Sequence, residues 1–131
     1  MADMPDTPLT CIDLWCKAGS NSELPGEEGI AHFLEHMVFK GSSKLEEGEF
    51  DRRIEELGGS SNAATGLDDV HYHILIPENS TIPALELILN LIFEPTISSG
   101  AYEIEREVVL EEIAQYKDQP EEQVYQKLLE T

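Results

Sequence analysis

Three features of the sequence predict an α+β domain. Residues 9–18, LTCIDLWCKA, alternate between apolar and polar. Two further strand-like runs, 60–65 and 70–76, flank Gly66-Leu67-Asp68-Asp69. Most of the remaining chain carries apolar residues at helical spacing. With 131 residues the chain is long enough to bury a core and short enough for a single domain. The expected organisation is a tail over 1–8 and one domain over 9–131.

The elements follow in order. In the first strand Ile12, Leu14, Cys16 and Ala18 share one face, and Asp13, Trp15 and Lys17 take the other. Gly19 to Gly26 is a turn-rich loop. A helix begins near Glu27, with Ile30, Phe33, Leu34, Met37 and Val38 as its apolar stripe, and ends near Gly41-Ser42-Ser43. A second helix covers 46–57, with Phe50, Ile54 and Leu57 on its core face and Gly58-Gly59 as its stop. The two later strands form a hairpin around 66–69. Ser80 or Thr81 is suited to cap the next helix, which has Pro83 in its first turn and runs to Phe93, before Pro95. Gly100 precedes a long helix to about Asp118, and Pro120 opens a last one to about Glu130.

Charge removes several function classes. Eight Lys and Arg stand against 27 Asp and Glu, a formal net charge of −19. Nucleic acid and anionic membrane surfaces would be repelled. The N-terminal MADMPDTPLT carries acids and no apolar segment of the signal-peptide kind, and no stretch approaches a membrane span. These features lead to the expectation of a soluble cytoplasmic protein, with an organellar location left open. Cys11 and Cys16 lie five apart on one strand and point to opposite faces, so they are expected to be free thiols. Trp15 and Tyr72 read as packing residues. His71 and His73 share a strand face, with no acid or cysteine evidently placed to complete a metal site.

The chemistry concentrates in His32-Phe33-Leu34-Glu35-His36. Histidines at i and i+4 leave the same side of a helix and can share one zinc ion. Glu35, beside them, can take a proton from a metal-activated water without itself being a ligand. HxxEH is the inverted form of the HExxH zinc-protease signature. The pentapeptide alone also suits a helix with two solvated histidines beside an acid, but the apolar stripe is complete without the histidines, which leaves them at its margin. A catalytic zinc needs a third protein ligand. Glu105 and Glu112, seven apart on the helix after Gly100 with Val108 between them, are candidates. Periodicity alone does not choose between Glu111 and Glu112.

Three ordered blocks carry a resemblance. The first is Leu14-Trp15 through Ala18-Gly19-Ser20, then Gly29-Ile30-Ala31-His32-Phe33-Leu34-Glu35-His36-Met37 and Phe39-Lys40-Gly41-Ser42. The second is Gly58-Gly59-Ser60-Ser61-Asn62-Ala63 with Thr65 and Tyr72. The third is Glu105-Arg106-Glu107-Val108-Val109-Leu110-Glu111-Glu112-Ile113. Spread over residues 9–119, they resemble the inverted-zincin peptidases related to pitrilysin, insulin-degrading enzyme and the mitochondrial processing peptidase.

The resemblance implies a small, mostly antiparallel sheet with helices on one side, like a shortened N-terminal catalytic domain of that family. It implies one zinc per chain, with His32, His36 and Glu112 as ligands, the family spacing selecting Glu112 over Glu111. Glu35 corresponds to the general base and Glu105 to the acid that supports the ligand shell. Backbone groups of Ser60, Ser61, Asn62, Ala63 and Ala64 would receive an extended peptide as an added strand, the Asn62 side chain holding a substrate carbonyl. Family members enclose unstructured peptides in a chamber of two homologous halves. The resemblance therefore also implies a second copy or a partner chain that completes the chamber and supplies an arginine and a tyrosine. The expected activity is zinc-dependent hydrolysis of peptide bonds. The alternative is a non-catalytic zinc-binding domain or partner subunit. The acidic balance favours basic peptides.

Overall fold

The computed structural model describes residues 7–117 and, beyond them, 120, 124 and 128. The expected last helix over 120–130 lies largely outside the described residues. The chain divides into two compact units, Met1–Ile97 and Ser98–Thr131.

The first unit is built on a three-stranded antiparallel sheet in the order β1-β3-β2, from β1 (Leu9–Cys16), β2 (Ser60–Thr65) and β3 (Val70–Pro77). β3 is central. It pairs Ile12 with Ile74 and Leu14 with Tyr72 on one side, and Ser61 with Ile74 and Ala63 with Tyr72 on the other. The period of two sends Val70, Tyr72, Ile74 and Ile76 to one face, where all four are buried. α2 (Glu49–Glu56) contributes Phe50 and Ile54 to that core. α3 (Thr81–Phe93) contributes Ala84, Ile88 and Leu91, and α1 (Ile30–Val38) contributes Val38. The helices thus cover one side of the sheet. Ile54, Ile74 and Ile76 have no exposed surface, and each such side chain contributes about 1.5–3 kcal/mol relative to exposure.

The elements end where local chemistry ends them. Gly58, at φ +84°, closes α2. Its N–H bonds the Glu55 carbonyl at 2.9 Å, and the Gly59 N–H bonds the Ile54 carbonyl at 2.9 Å. That pair of bonds is a Schellman motif, whose left-handed residue favours glycine. Ser80 stands at the N-cap of α3, but its hydroxyl makes no cap bond. It donates instead to the Leu57 carbonyl at 3.2 Å, tying the end of α2 to the start of α3.

The sequence expectations for α1 are corrected. Of the α1 stripe only Met37 and Val38 are buried, while Ile30 and Leu34 are about half exposed. α1 begins at Ile30 rather than Glu27. Trp15 lies on the outer face of the sheet, opposite the Ile12 face as the alternation predicts, where it is 60% exposed and stacks on His71. Tyr72, by contrast, is buried. Cys11 is exposed and Cys16 half-buried, and both are free.

The second unit is described by α4, Ser99–Lys117, which takes in Gly100. The Ser98 hydroxyl accepts the Ala101 N–H at 3.1 Å, as an N-cap does. Among the described residues no helix is long and apolar enough to cross a membrane.

Candidate metal centre

α1 presents the HxxEH segment, and both of its ends are fixed. At the start, the half-buried Glu23 reaches forward from the preceding loop. One of its carboxylate oxygens accepts the Gly29 N–H and the other the Ala31 N–H, each at 2.9 Å. These are amides that a helix start leaves without intrahelical partners, and a carboxylate there also suits the helix dipole. At the other end Met37 and Val38 enter the core. Phe39 packs against Phe50 and Tyr72 at ring separations of 5.8 and 6.0 Å.

Between these anchors His32 and His36 are half-buried, with their Nε2 atoms 3.1 Å apart and their rings at 89°. Zinc–nitrogen bonds of about 2.0–2.1 Å in tetrahedral geometry place two imidazole nitrogens about 3.3 Å from each other. The pair therefore fits a shared metal ion with little adjustment. Glu35, also half-buried, accepts a hydrogen bond from the Thr65 hydroxyl at the end of β2. Nearby, the Tyr72 phenol is pushed up to about 12, first by burial and then by its electrostatic interaction with Glu35 and Cys16. It remains neutral at physiological pH.

On α4, Glu105 and Val109 are buried and Glu112 is half-buried, whereas Val108, Glu107 and Glu111 face solvent. The less exposed stripe of α4 thus runs 105-109-112, with Val109 rather than Val108 between the two acids. Among the described residues one group is able to hold a metal ion: His32, His36 and Glu112, whose ligand atoms all lie within 4.8 Å of one another. Two imidazoles and a carboxylate are a donor set suited to zinc.

The residues proposed to receive peptide lie on β2, which is an edge of the sheet. Ser60, Asn62 and Ala64 are exposed, and Ser61 and Ala63 half-buried. The Asn62 carboxamide oxygen accepts the Ala63 N–H at 2.8 Å, a bond within the strand that sequence spacing does not announce. Ser61 donates to Asp51 of α2 at 3.0 Å.

His71 and His73 do share the outer face of the sheet, and their rings stack at 5.5 Å. Asp13 lies 3.2 Å from His71 Nδ1, an acid the sequence reading did not place there. Sequence reasoning also missed Glu23 and the bond from Thr65 to Glu35. Each contact is made across a loop, where no periodicity reports it.

A sheet covered on one side by helices, an HxxEH helix and a His/His/Glu group together define a zinc metallopeptidase-type domain. The model of the insulinase family (peptidase family M16) matches residues 1–131, and the chain belongs to that family. An uncharacterized zinc protease of Rickettsia bellii (strain RML369-C) is 36% identical over 125 residues, covering 95% of this chain and 30% of the relative. The crystal structure of a protease from Helicobacter pylori superimposes with a TM-score of 0.86 at 36% identity, over 91% of this chain and 29% of that one. The crystal structure of pitrilysin does so with a TM-score of 0.77 at 26% identity, over 86% and 12%. The chain therefore spans about a third or less of the length of these proteins.

Proposed function

We propose that this chain is the zinc-binding catalytic domain of an endopeptidase or oligopeptidase acting on unstructured peptides. The observation that carries the reading is the His32–His36 pair, with Nε2 atoms 3.1 Å apart on a helix that also presents Glu35. His32, His36 and Glu112 would hold the ion, and Glu105 would keep that arrangement in place from the buried side of α4. When bound, zinc supplies Lewis-acid polarisation and a water acidified towards a pKa of about 7.

The remaining work falls to this chain's own side chains and backbone. Glu35 takes a proton from the attacking water and returns it to the departing amine. The edge of β2 receives the peptide in extended form through Ser60 to Ala64, by backbone bonds that do not depend on side-chain identity. An incoming carbonyl would replace the Asn62 oxygen on the Ala63 N–H. The Asn62 amide would then be released to contact the peptide. A second copy or a partner chain would add donors for the developing oxyanion. Each such donor typically contributes a hundredfold to a thousandfold in turnover.

The test is cleavage of a quenched fluorescent basic peptide by the zinc-loaded chain, beside a Glu35→Gln variant carrying equal zinc. Cleavage by the wild type alone supports the reading. If neither cleaves although both hold one zinc per chain, this chain is a zinc-binding domain that does not turn over by itself.

A further inference from the structure

We propose that Thr65 is the positioning residue for Glu35: its hydroxyl holds one carboxylate oxygen of Glu35 and leaves the other oxygen turned to the attacking water. This rests on the reading of Glu35 as the general base and adds a residue to it.

The contact joins two elements 30 residues apart in sequence. On one side stands a helical glutamate with three rotatable side-chain bonds. A lone glutamate in that position samples several rotamers. On the other side stands a β-branched residue whose χ1 is stiff. The backbone of Thr65 is itself held firmly. It pairs with Val70 in the hairpin. The next residue, Gly66, donates its N–H to the Asp69 carbonyl at 2.7 Å and accepts the Ser20 N–H at 3.2 Å. Asn21 adds a backbone bond to Leu67 at 2.8 Å and a side-chain bond to Asp68 at 3.1 Å. A stiff side chain on a clamped strand end thus fixes one oxygen of a flexible carboxylate, which is the support a reacting group needs to stay within about half an ångström of its working place.

The connection has a second consequence. Thr65 ends the strand whose edge the proposed function assigns to the peptide. The strand that sets the register of the bound chain would also set the place of the base, so that scissile carbonyl and Glu35 share one reference frame. Misplacement by about 1 Å can cost a hundredfold.

The test compares Thr65→Val, which removes the hydroxyl at nearly constant shape, with Thr65→Ser, which keeps it. In the metal-free chain, Thr65→Val is expected to lower the melting temperature by about 4 °C or more. That loss should disappear in a Glu35→Ala background. Equal shifts in both backgrounds would overturn the hydrogen bond.

In the zinc-loaded chain, Thr65→Val should lower kcat about tenfold to a hundredfold with KM within about twofold and zinc content unchanged, while Thr65→Ser restores most of the rate. A Val variant with wild-type kcat would overturn the positioning role even if the bond exists. A wild type that does not turn over counts against the proposed function of this chain instead. In that case the cobalt-loaded protein decides. Its visible absorption band should shift in Thr65→Val and not in Thr65→Ser, and identical spectra for all three proteins would overturn the proposal.

Discussion

Glu23 caps Ala31. Both carboxylate oxygens of the loop residue are engaged at the start of α1, one by the Ala31 N–H and one by the Gly29 N–H, at 2.9 Å each. The helix that carries His32, one residue further on, is therefore started by a group outside it. Glu23→Ala should lower stability by about 1–3 kcal/mol, read from the urea midpoint. It should also weaken zinc retention against a chelator, because the turn bearing His32 frays. An unchanged midpoint would show that the two amides find equivalent partners in water.

Gly19 is the second position where a small change should have a large effect. A Cβ added there would lie 2.4 Å from both the carbonyl carbon and oxygen of Leu67. Those are backbone atoms of the hairpin turn and cannot swing aside. Gly19→Ala should destabilise by about 2–4 kcal/mol in chemical denaturation. Gly66→Ala in the same turn meets nothing closer than 3.5 Å and should cost less than about 1 kcal/mol. A reversed order would contradict the packing of that loop on the hairpin.

Zinc should raise the unfolding free energy by mass action. At a free concentration of about 100 times Kd the gain is about 2.7 kcal/mol. His32→Ala and His36→Ala should each remove most of it. A melting temperature insensitive to zinc in the wild type would remove the metal centre from the account.

Acid should weaken the α2 and α3 ends in a defined direction. The Glu49 carboxyl is held below its ordinary value of 4.5, first by the Glu46 N–H and then by Arg53, with burial opposing. Glu94 is lowered first by the Ser43 hydroxyl, then by Lys44, with Asn90 adding a smaller share. For a carboxyl depressed on folding, the stabilisation is present above the unfolded value and is lost as pH falls through the folded one. Glu49→Gln should therefore reduce stability at neutral pH and flatten the decline below about pH 5. Parallel pH–stability curves for variant and wild type would contradict this.

Much of the fold was legible because alternation is a direct record of burial. Val70, Tyr72, Ile74 and Ile76 occupy every second position and all four are buried. Phe50 and Ile54 lie one helical turn apart and do the same. Periodicity failed where it was asked what covers a face. Ile30 and Leu34 complete an apolar stripe yet remain about half exposed, because a stripe states only that a surface could be buried. At the metal centre the i, i+4 histidines were legible as a pair. Glu111 and Glu112 were not separable by residue type, and their difference in exposure appears only once the helix has a face. The contacts of Glu23 and Thr65 depend on where loops bring the chain back, which no local pattern encodes.

The Asn62–Ala63 bond has a consequence for kinetics as well as for recognition. A bare edge amide would reward any passing strand, including that of another copy, with a full hydrogen bond. Here the amide is already occupied by its neighbour's side chain. A peptide added at this edge, as proposed, would exchange one bond for another of similar strength, so this rung would contribute little net affinity. Binding would accumulate only when several rungs align, and a shortened product would lose that sum quickly. At Ala63 the strand edge is self-quenched, which would favour rapid product departure over tight capture.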